Sequence, residues 1–397
     1  MKKGNIMKID FSERLSTVEE YYFSKKLREI RKRQQNGEDI RNLGIGSPDI
    51  PPHRSVIRTL AESAAAADAH HYQSYAGMPE LRQAYSRYYM TQYGVRLDPE
   101  TEILSLIGSK EGIMHLSMAA LDPGDEVLVP NPGYGSYASC AKLAGATPVG
   151  YTLREENNWL IPLDELKSMD TSKVKILWMN YPNMPTGTVP PISFFEDVLE
   201  FARERGILVC NDNPYSTILT DQPVSLFQVP GACGIACELN SLSKSHNMAG
   251  WRVGMMGGPA SVLQAVLKFK SNMDSGKFKA IQLAAIQALS LDEDWYDDLN
   301  ESYRQRQKLG IRLLRTLGCT IREPDAGMFL WAKIPAAYKD GYAYSDYLLD
   351  HHHIFIPPGG IFGDAGDQYI RMSLCTPEEV ISQITKEVTT KIQLHAR

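Results

Sequence analysis

The 397-residue sequence predicts an α/β protein: a large domain with a mostly parallel sheet flanked by helices, then a smaller α+β domain. Two observations predict it. Between residues 102 and 270, short apolar runs alternate with helix-period stretches, the pattern of strands joined by crossover helices. After about residue 290 that alternation gives way to a long charged helix, a Gly/Pro-punctuated stretch and a closing helix. The units expected are 1–45 (an N-terminal arm with part of the small domain), 46–290 (the large domain) and 291–397 (the C-terminal small domain).

Residues 18–35 (VEEYYFSKKLREIRKRQQ) read as a helix. Its Lys25, Lys26, Arg28, Arg31, Lys32 and Arg33 form a cationic face, either simply solvated or an anion site. Gly44-Ile45-Gly46-Ser47-Pro48 reads as a turn. Strands are expected at Glu102–Ile107, Glu126–Val129, Val174–Met179, Ile207–Cys210, Ile235–Leu239 and Val253–Met256, short apolar runs mostly followed by Gly, Pro or Asn. Helices are expected at Gly112–Ala120, Phe194–Arg205, Ser261–Lys270, Trp295–Leu317 and Pro377–Leu394.

Composition narrows the function. Lys plus Arg is 42 and Asp plus Glu is 47, a formal charge of -5. That leaves no concentrated basic surface for nucleic acid. No apolar run reaches the ~18 residues of a membrane span. Met1 to Phe11 carries Lys and Asp without the apolar stretch of a signal peptide. The six cysteines lie mostly in apolar stretches, so reduced thiols and a cytoplasmic location are expected.

In an open α/β sheet, ligands bind beyond the carboxyl ends of the strands. Five such ends carry polar chemistry: Gly108-Ser109-Lys110, Pro132-Gly133-Tyr134, Asn180-Tyr181-Pro182-Asn183-Met184, Asp212-Asn213-Pro214-Tyr215 and Ser241-Leu242-Ser243-Lys244. Each group has a physical task. Free N–H groups where a helix opens at Ser109 hold a phosphate. Tyr134 offers a flat face to a heteroaromatic ring. Asp212 pairs with a protonated ring nitrogen. Lys244 bonds an aldehyde, provided that burial and cations such as Arg252 lower its pKa. Pyridoxal 5'-phosphate (PLP) fits this inventory.

The segment Ser241-Leu-Ser-Lys244-Ser-His-Asn-Met-Ala-Gly-Trp-Arg252-Val-Gly254 resembles the lysine motif of the class I/II aminotransferases, the aspartate-aminotransferase type of PLP fold type I. The resemblance runs over roughly residues 35–395. It implies a ping-pong transaminase (EC 2.6.1.-) moving an amino group between an L-amino acid and a 2-oxo acid, working as a homodimer. By resemblance, Lys244 carries the cofactor and shuttles the proton, while Ser241 and Arg252 bind the phosphate with the Gly108-Ser109-Lys110 turn. Ser243 belongs to the same cofactor-binding set. Asp212 and Tyr215 match the residues at the ring nitrogen and the ring 3-oxygen, and Tyr134 the stacking aromatic. Tyr72 matches the tyrosine that reaches the neighbouring subunit's phosphate. Arg371 matches the clamp on the substrate α-carboxylate, and Gly44-Ile45-Gly46 the entrance segment. The family has Asn directly before Pro-Thr-Gly, where this chain has Met184. Either Asn183 moves into that place, contacting cofactor and substrate, or Tyr215 bonds the 3-oxygen alone. Lys270–Phe278, followed by Ala280-Ile281-Gln282, is similar to segments of LL-diaminopimelate aminotransferases and their relatives.

Rival readings differ in what they require. Ser241-x-x-Lys244 also occurs in penicillin-binding enzymes, but their Ser-Asp-Asn and Lys-Thr-Gly partners are missing. His351-His352-His353 point in different directions, and Cys233 and Cys237 lack a second pair, so no metal site is expected. A C–S β-lyase would use the same scaffold and lysine. A ligand-sensing regulator would need a DNA-binding domain, and the roughly 40 residues ahead of the family-like region are too few for one.

Overall fold

The computed structural model describes residues 9–395; Met1–Lys8 of the expected arm and the last two residues lie outside it. A seven-stranded sheet forms the core of the large unit. Its strands are β1 (Ile103–Leu106), β2 (Glu126–Asn131), β3 (Thr147–Thr152), β4 (Val174–Met179), β5 (Leu208–Asp212), β6 (Ala236–Ser241) and β7 (Gly254–Gly257). They lie in the order β1-β7-β6-β5-β4-β2-β3. Every pairing is parallel except those of β7, which runs antiparallel to β1 and β6. All residues of β1, β6 and β7 are buried, as strands covered on both faces must be.

Two strand ends extend further than the apolar runs suggest. β5 continues through Asp212, which pairs with Leu239, and β6 through Ser241, which pairs with Gly254. Both polar residues are therefore fixed by the ladder. β3 has no counterpart among the expected strands. It is an edge strand whose Pro148 and Gly150 weaken the sequence signal.

The smaller unit centres on a three-stranded antiparallel sheet, with β8 (Phe329–Lys333) between Thr320–Ile321 and β9 (Tyr369–Ser373). Helices Glu293–Thr316 and Glu378–His395 pack beside it. The N-terminal segment joins this unit: Arg41–Asn42 pairs in parallel with Ile354–Phe355. Helix Tyr22–Gln35 docks through its basic face. Lys26 bridges to Asp346 at 2.9 Å, and Arg33 to Asp350 and Glu38 at 2.7 Å each. At these positions the cationic face is neither plainly solvated nor an anion site.

The two units meet over the carboxyl ends of the strands. The Arg306 guanidinium donates to both Asp49 oxygens, at 2.6 and 3.0 Å. The Gly187 carbonyl accepts from Asp325 and Ala326 N–H at 3.1 and 3.0 Å. No described helix is long and apolar enough to cross a membrane.

Candidate active site

A cavity of about 380 Å³ opens where the strand ends of the large unit face β8, β9 and the N-terminal helix. Lys244 enters it from the one-turn helix Leu242–Ser245, which Ser241 caps by accepting from Ser243 N–H at 3.3 Å. Its Nζ donates to the Gly46 carbonyl of the entrance segment. Burial, with Arg371 and Arg252 nearby, lowers its pKa to about 8. The amine is thereby poised as a nucleophile near neutral pH.

Asp212 lies at the cavity floor. Its Oδ2 accepts from the Tyr137 hydroxyl at 2.9 Å, and its Oδ1 has no hydrogen-bond partner. Burial raises its pKa to about 6, against the lowering effect of the Tyr137 bond. At pH 7 the carboxylate is then ionised by about ten to one. Tyr137 stacks on Trp178, with centroids 5.0 Å apart and planes 7° apart, which fixes its phenol toward the acid. Asn180 Nδ2 donates to the Asp212 carbonyl at 2.5 Å, while its Oδ1 accepts from Met184 N–H at 2.8 Å. The 180–187 loop is thus pinned to the end of β5.

The phosphate end is built from close backbone approach. Gly108 has φ +92°, and a Cβ there would run into the Arg252 guanidinium. A Cβ on Gly254 would come within 2.7 Å of the Asn240 carbonyl and 3.1 Å of Gly108 Cα. The 12-residue helix Ser109–Ala120 therefore opens directly beside Arg252, which donates to Ser243 Oγ at 3.3 Å and to the Ala249 carbonyl at 3.0 Å. Free helix N–H groups, a hydroxyl and a guanidinium at one place make an anion cradle. The turn is braced from behind. Lys277 Nζ donates to the Leu106 carbonyl at 2.6 Å, and Lys270 bridges Glu111 and Asp274.

At the opposite end, Arg371 projects from β9. Its guanidinium carbon lies 4.0 Å from the Phe329 ring centre, 4.5 Å from Phe362 and 5.7 Å from Phe23. Nη2 donates to the Gly44 carbonyl at 3.0 Å, Nη1 touches Met184 Sδ at 3.3 Å, and Nε has no partner. Burial lowers its pKa to about 10, so the cation persists at neutral pH. A buried guanidinium with no carboxylate beside it is an incomplete ion pair.

Most residues singled out from the sequence converge here. Lys244, Asp212, Tyr215, Ser109, Lys110, Tyr134, Ser241, Ser243, Arg252, Gly46, Ile45 and Arg371 all line the cavity, and Gly108 backs it against Arg252. Tyr215 is buried, with its ring edge-on to Phe329 at 5.8 Å, and burial raises its pKa. Two residues lie elsewhere. Tyr72 is 90% exposed and outside the cavity. The Asn183 amide turns into its own loop, donating to the Asn180 carbonyl at 3.2 Å and accepting from Thr186 Oγ1 at 2.8 Å. Its backbone bonds to Thr188 and Gly187 hold the loop in that register. Met184, and not Asn183, faces the cavity. Sequence reasoning missed Tyr137, Asn180, Tyr21, Phe23, Phe329 and Phe362. Asn180 opened a loop already under scrutiny, and Tyr137 follows Tyr134 by three residues, but the others come from distant segments.

The residues fit PLP. The orphaned Asp212 Oδ1 suits a pyridinium N–H, the cradle at Ser109 and Arg252 suits the phosphate, and Lys244 suits the aldehyde. Fold and site together define a PLP-dependent transferase of fold type I. The chain belongs to the aminotransferase class I and II family, whose profile matches residues 38–386. It is similar to the LL-diaminopimelate aminotransferase of Dehalococcoides mccartyi, 40% identical over 94% of this chain and 96% of the relative. The enzyme of that name from Aquifex aeolicus is 38% identical over 96% of this chain and 98% of its own length. Among solved structures, substrate-bound BacF of Bacillus subtilis superposes with a TM-score of 0.92 at 32% identity, covering 97% of this chain and 98% of its own. An aspartate aminotransferase of Thermus thermophilus gives 0.89 at 25% identity, covering 96% of this chain and 100% of its own. The protein is a PLP-dependent aminotransferase acting on amino acid and 2-oxo acid substrates.

Proposed function

We propose that this chain transaminates L-amino acids by a ping-pong route in which Arg371 clamps the α-carboxylate and Lys244 moves the proton. The observation that carries the reading is the buried, carboxylate-free Arg371 across one cavity from Lys244 and the half-satisfied Asp212. A planar guanidinium suits bidentate carboxylate recognition. When bound, PLP supplies the electron sink for the reaction.

The protein's own groups divide the work. Asp212 holds the proton on the ring nitrogen. Tyr215 would bond the ring's 3-oxygen, and Tyr134 would stack on the ring. Ser109, Lys110, Ser241, Ser243 and Arg252 hold the phosphate with the Gly108 turn. The Lys244 amine would move the proton between the substrate α-carbon and the C4′ carbon of the cofactor. Ile45 and Gly46 form the entrance. Tyr72, exposed in the single chain, completes the phosphate site of a second copy in a homodimer. The free state of all six cysteines supports a reducing, cytoplasmic setting. Similarity to relatives named LL-diaminopimelate aminotransferase makes a long amino acid with a second charged end one candidate donor.

The test is a half-reaction. Single amino acids are mixed with the PLP-loaded protein, and the conversion to pyridoxamine phosphate and the released oxo acid are measured. Lys244→Ala should bind the cofactor and convert nothing. Release of ammonia and an oxo acid without pyridoxamine phosphate would overturn the transaminase reading in favour of β-elimination.

A further inference from the structure

Behind the phosphate turn, the nearest charges do not balance. Glu111 stands in the first turn of the helix that opens at Ser109. Its Oε2 accepts from Ile107 N–H, and its Oε1 from Lys270 Nζ at 3.2 Å. Lys270 is buried and also bridges to Asp274. Two carboxylates therefore share one ammonium. His115, 3.7 Å from Glu111, stays neutral because burial lowers its pKa to about 4. The surplus negative charge competes with a bound anion for the same positive helix end. Lys277 supplies the balance. Its Nζ donates to the Leu106 carbonyl at 2.6 Å and to Ser105 Oγ at 3.2 Å, where the edge strand β1 runs into the turn. Its backbone is set by Gln282, which donates to the Lys277 carbonyl at 2.7 Å and accepts from Met78 N–H at 2.8 Å. A neutral donor would satisfy the Leu106 carbonyl; the ammonium adds a charge. Burial, with Lys270 and Arg252 nearby, lowers the Lys277 pKa to about 7, while Glu111 and Asp274 act the other way. A phosphate dianion placed nearby favours the charged form.

We propose that Lys277 is a positioning residue for the cofactor phosphate: its ammonium offsets the second carboxylate behind the turn and holds the Leu106 carbonyl, leaving the helix end at Ser109 free for a dianion. The inference rests on the cradle at Ser109 and Arg252 being the phosphate site. Lys277 acts without touching the phosphate, through the charge on Glu111 and through the strand end that leads into Gly108. A unit charge roughly 10 Å from a phosphate, at an effective dielectric of about 20, changes its affinity by about tenfold.

The test measures binding to the full chain freed of cofactor, by calorimetry at pH 7. The probes are pyridoxine 5'-phosphate and pyridoxine, which differ only in the phosphate and have no aldehyde for Lys244. The unmodified protein should bind pyridoxine 5'-phosphate the more tightly. Lys277→Met and Lys277→Gln should weaken pyridoxine 5'-phosphate by about tenfold and leave pyridoxine unchanged. Lys277→Gln keeps a donor for the Leu106 carbonyl, so it carries the test if Lys277→Met does not fold. Lys277→Arg keeps the charge and should restore most of the affinity. Unchanged affinity in Lys277→Gln, equal weakening of both probes, or a loss in Lys277→Arg as large as in Lys277→Gln would overturn the proposal while the phosphate site stands. Equal binding of both probes by the unmodified protein would overturn the phosphate site and this inference with it.

Discussion

Replacing Tyr137 by Phe removes the hydrogen bond on Asp212 Oδ2. The Tyr137 hydroxyl donates to Oδ2 at 2.9 Å, and the ring stays held by Trp178 when the oxygen is removed. A donor to a charged acceptor contributes about 1.5–3 kcal/mol. At 1.36 kcal/mol per pKa unit, losing it raises the Asp212 pKa by roughly one to two units from about 6. The sign follows from the bond's preference for the ionised form. Without it the carboxylate is lost at higher pH, and with it the charge that holds the pyridinium proton. At pH 7 the ionised fraction should fall from about nine-tenths to between roughly half and a tenth. The assay is PLP affinity against pH in a Lys244→Ala background, where binding is non-covalent. Ionisations of PLP itself are common to both proteins and cancel in the comparison. The acid limb should move upward by roughly one unit or more, with inorganic phosphate binding unchanged. An acid limb that stays in place in a folded Tyr137→Phe protein would refute the reasoning.

Other perturbations test the remaining groups. Because the Lys244 pKa is lowered to about 8, the rate of covalent loading of the empty protein should rise with pH up to that value and then level off; a rise continuing toward the usual lysine range would mean that the cavity does not depress this amine. Arg371→Lys should raise KM for every amino acid by about tenfold to a hundredfold, with kcat less affected, as a fork becomes a point charge. Loss confined to dicarboxylic substrates would make Arg371 a side-chain reader. Met184 brings a thioether, a weak acceptor with no donor, into the cavity. Met184→Asn should lower the pH midpoint of the loaded protein's absorbance change by supplying an N–H donor to the 3-oxygen. Asn183→Ala should leave the midpoint in place, because that amide is already engaged with Asn180 and Thr186. A shift in Asn183→Ala alone would show that the loop rearranges around the cofactor.

The sequence by itself determined the parts whose signal is local. Apolar runs followed by Ser109, Asp212 and Lys244 were legible because a strand buried on both faces must be apolar until it reaches the edge of the sheet. The first polar residues there are the ones available for chemistry. The lysine motif was legible because Ser241, Lys244, Arg252 and Gly254 stand at fixed spacing on one strand–turn–strand unit.

The tertiary structure alone decided what depends on distant segments or on register. The direction of β7 was hidden because an apolar run reads the same both ways. β3 was hidden because an edge strand tolerates the Pro and Gly that argue against it. The choice between Asn183 and Met184 was a matter of which side chain the pinned loop turns outward, set by Asn180 bonds to two backbone groups. The cage around Arg371 brings Phe23 against Phe329 and Phe362, roughly three hundred residues further along the chain, and no local pattern encodes such a meeting. Spacing along the chain fixes which groups share a strand end, whereas burial, pKa and recognition arise only where separate strand ends and helices close around one cavity.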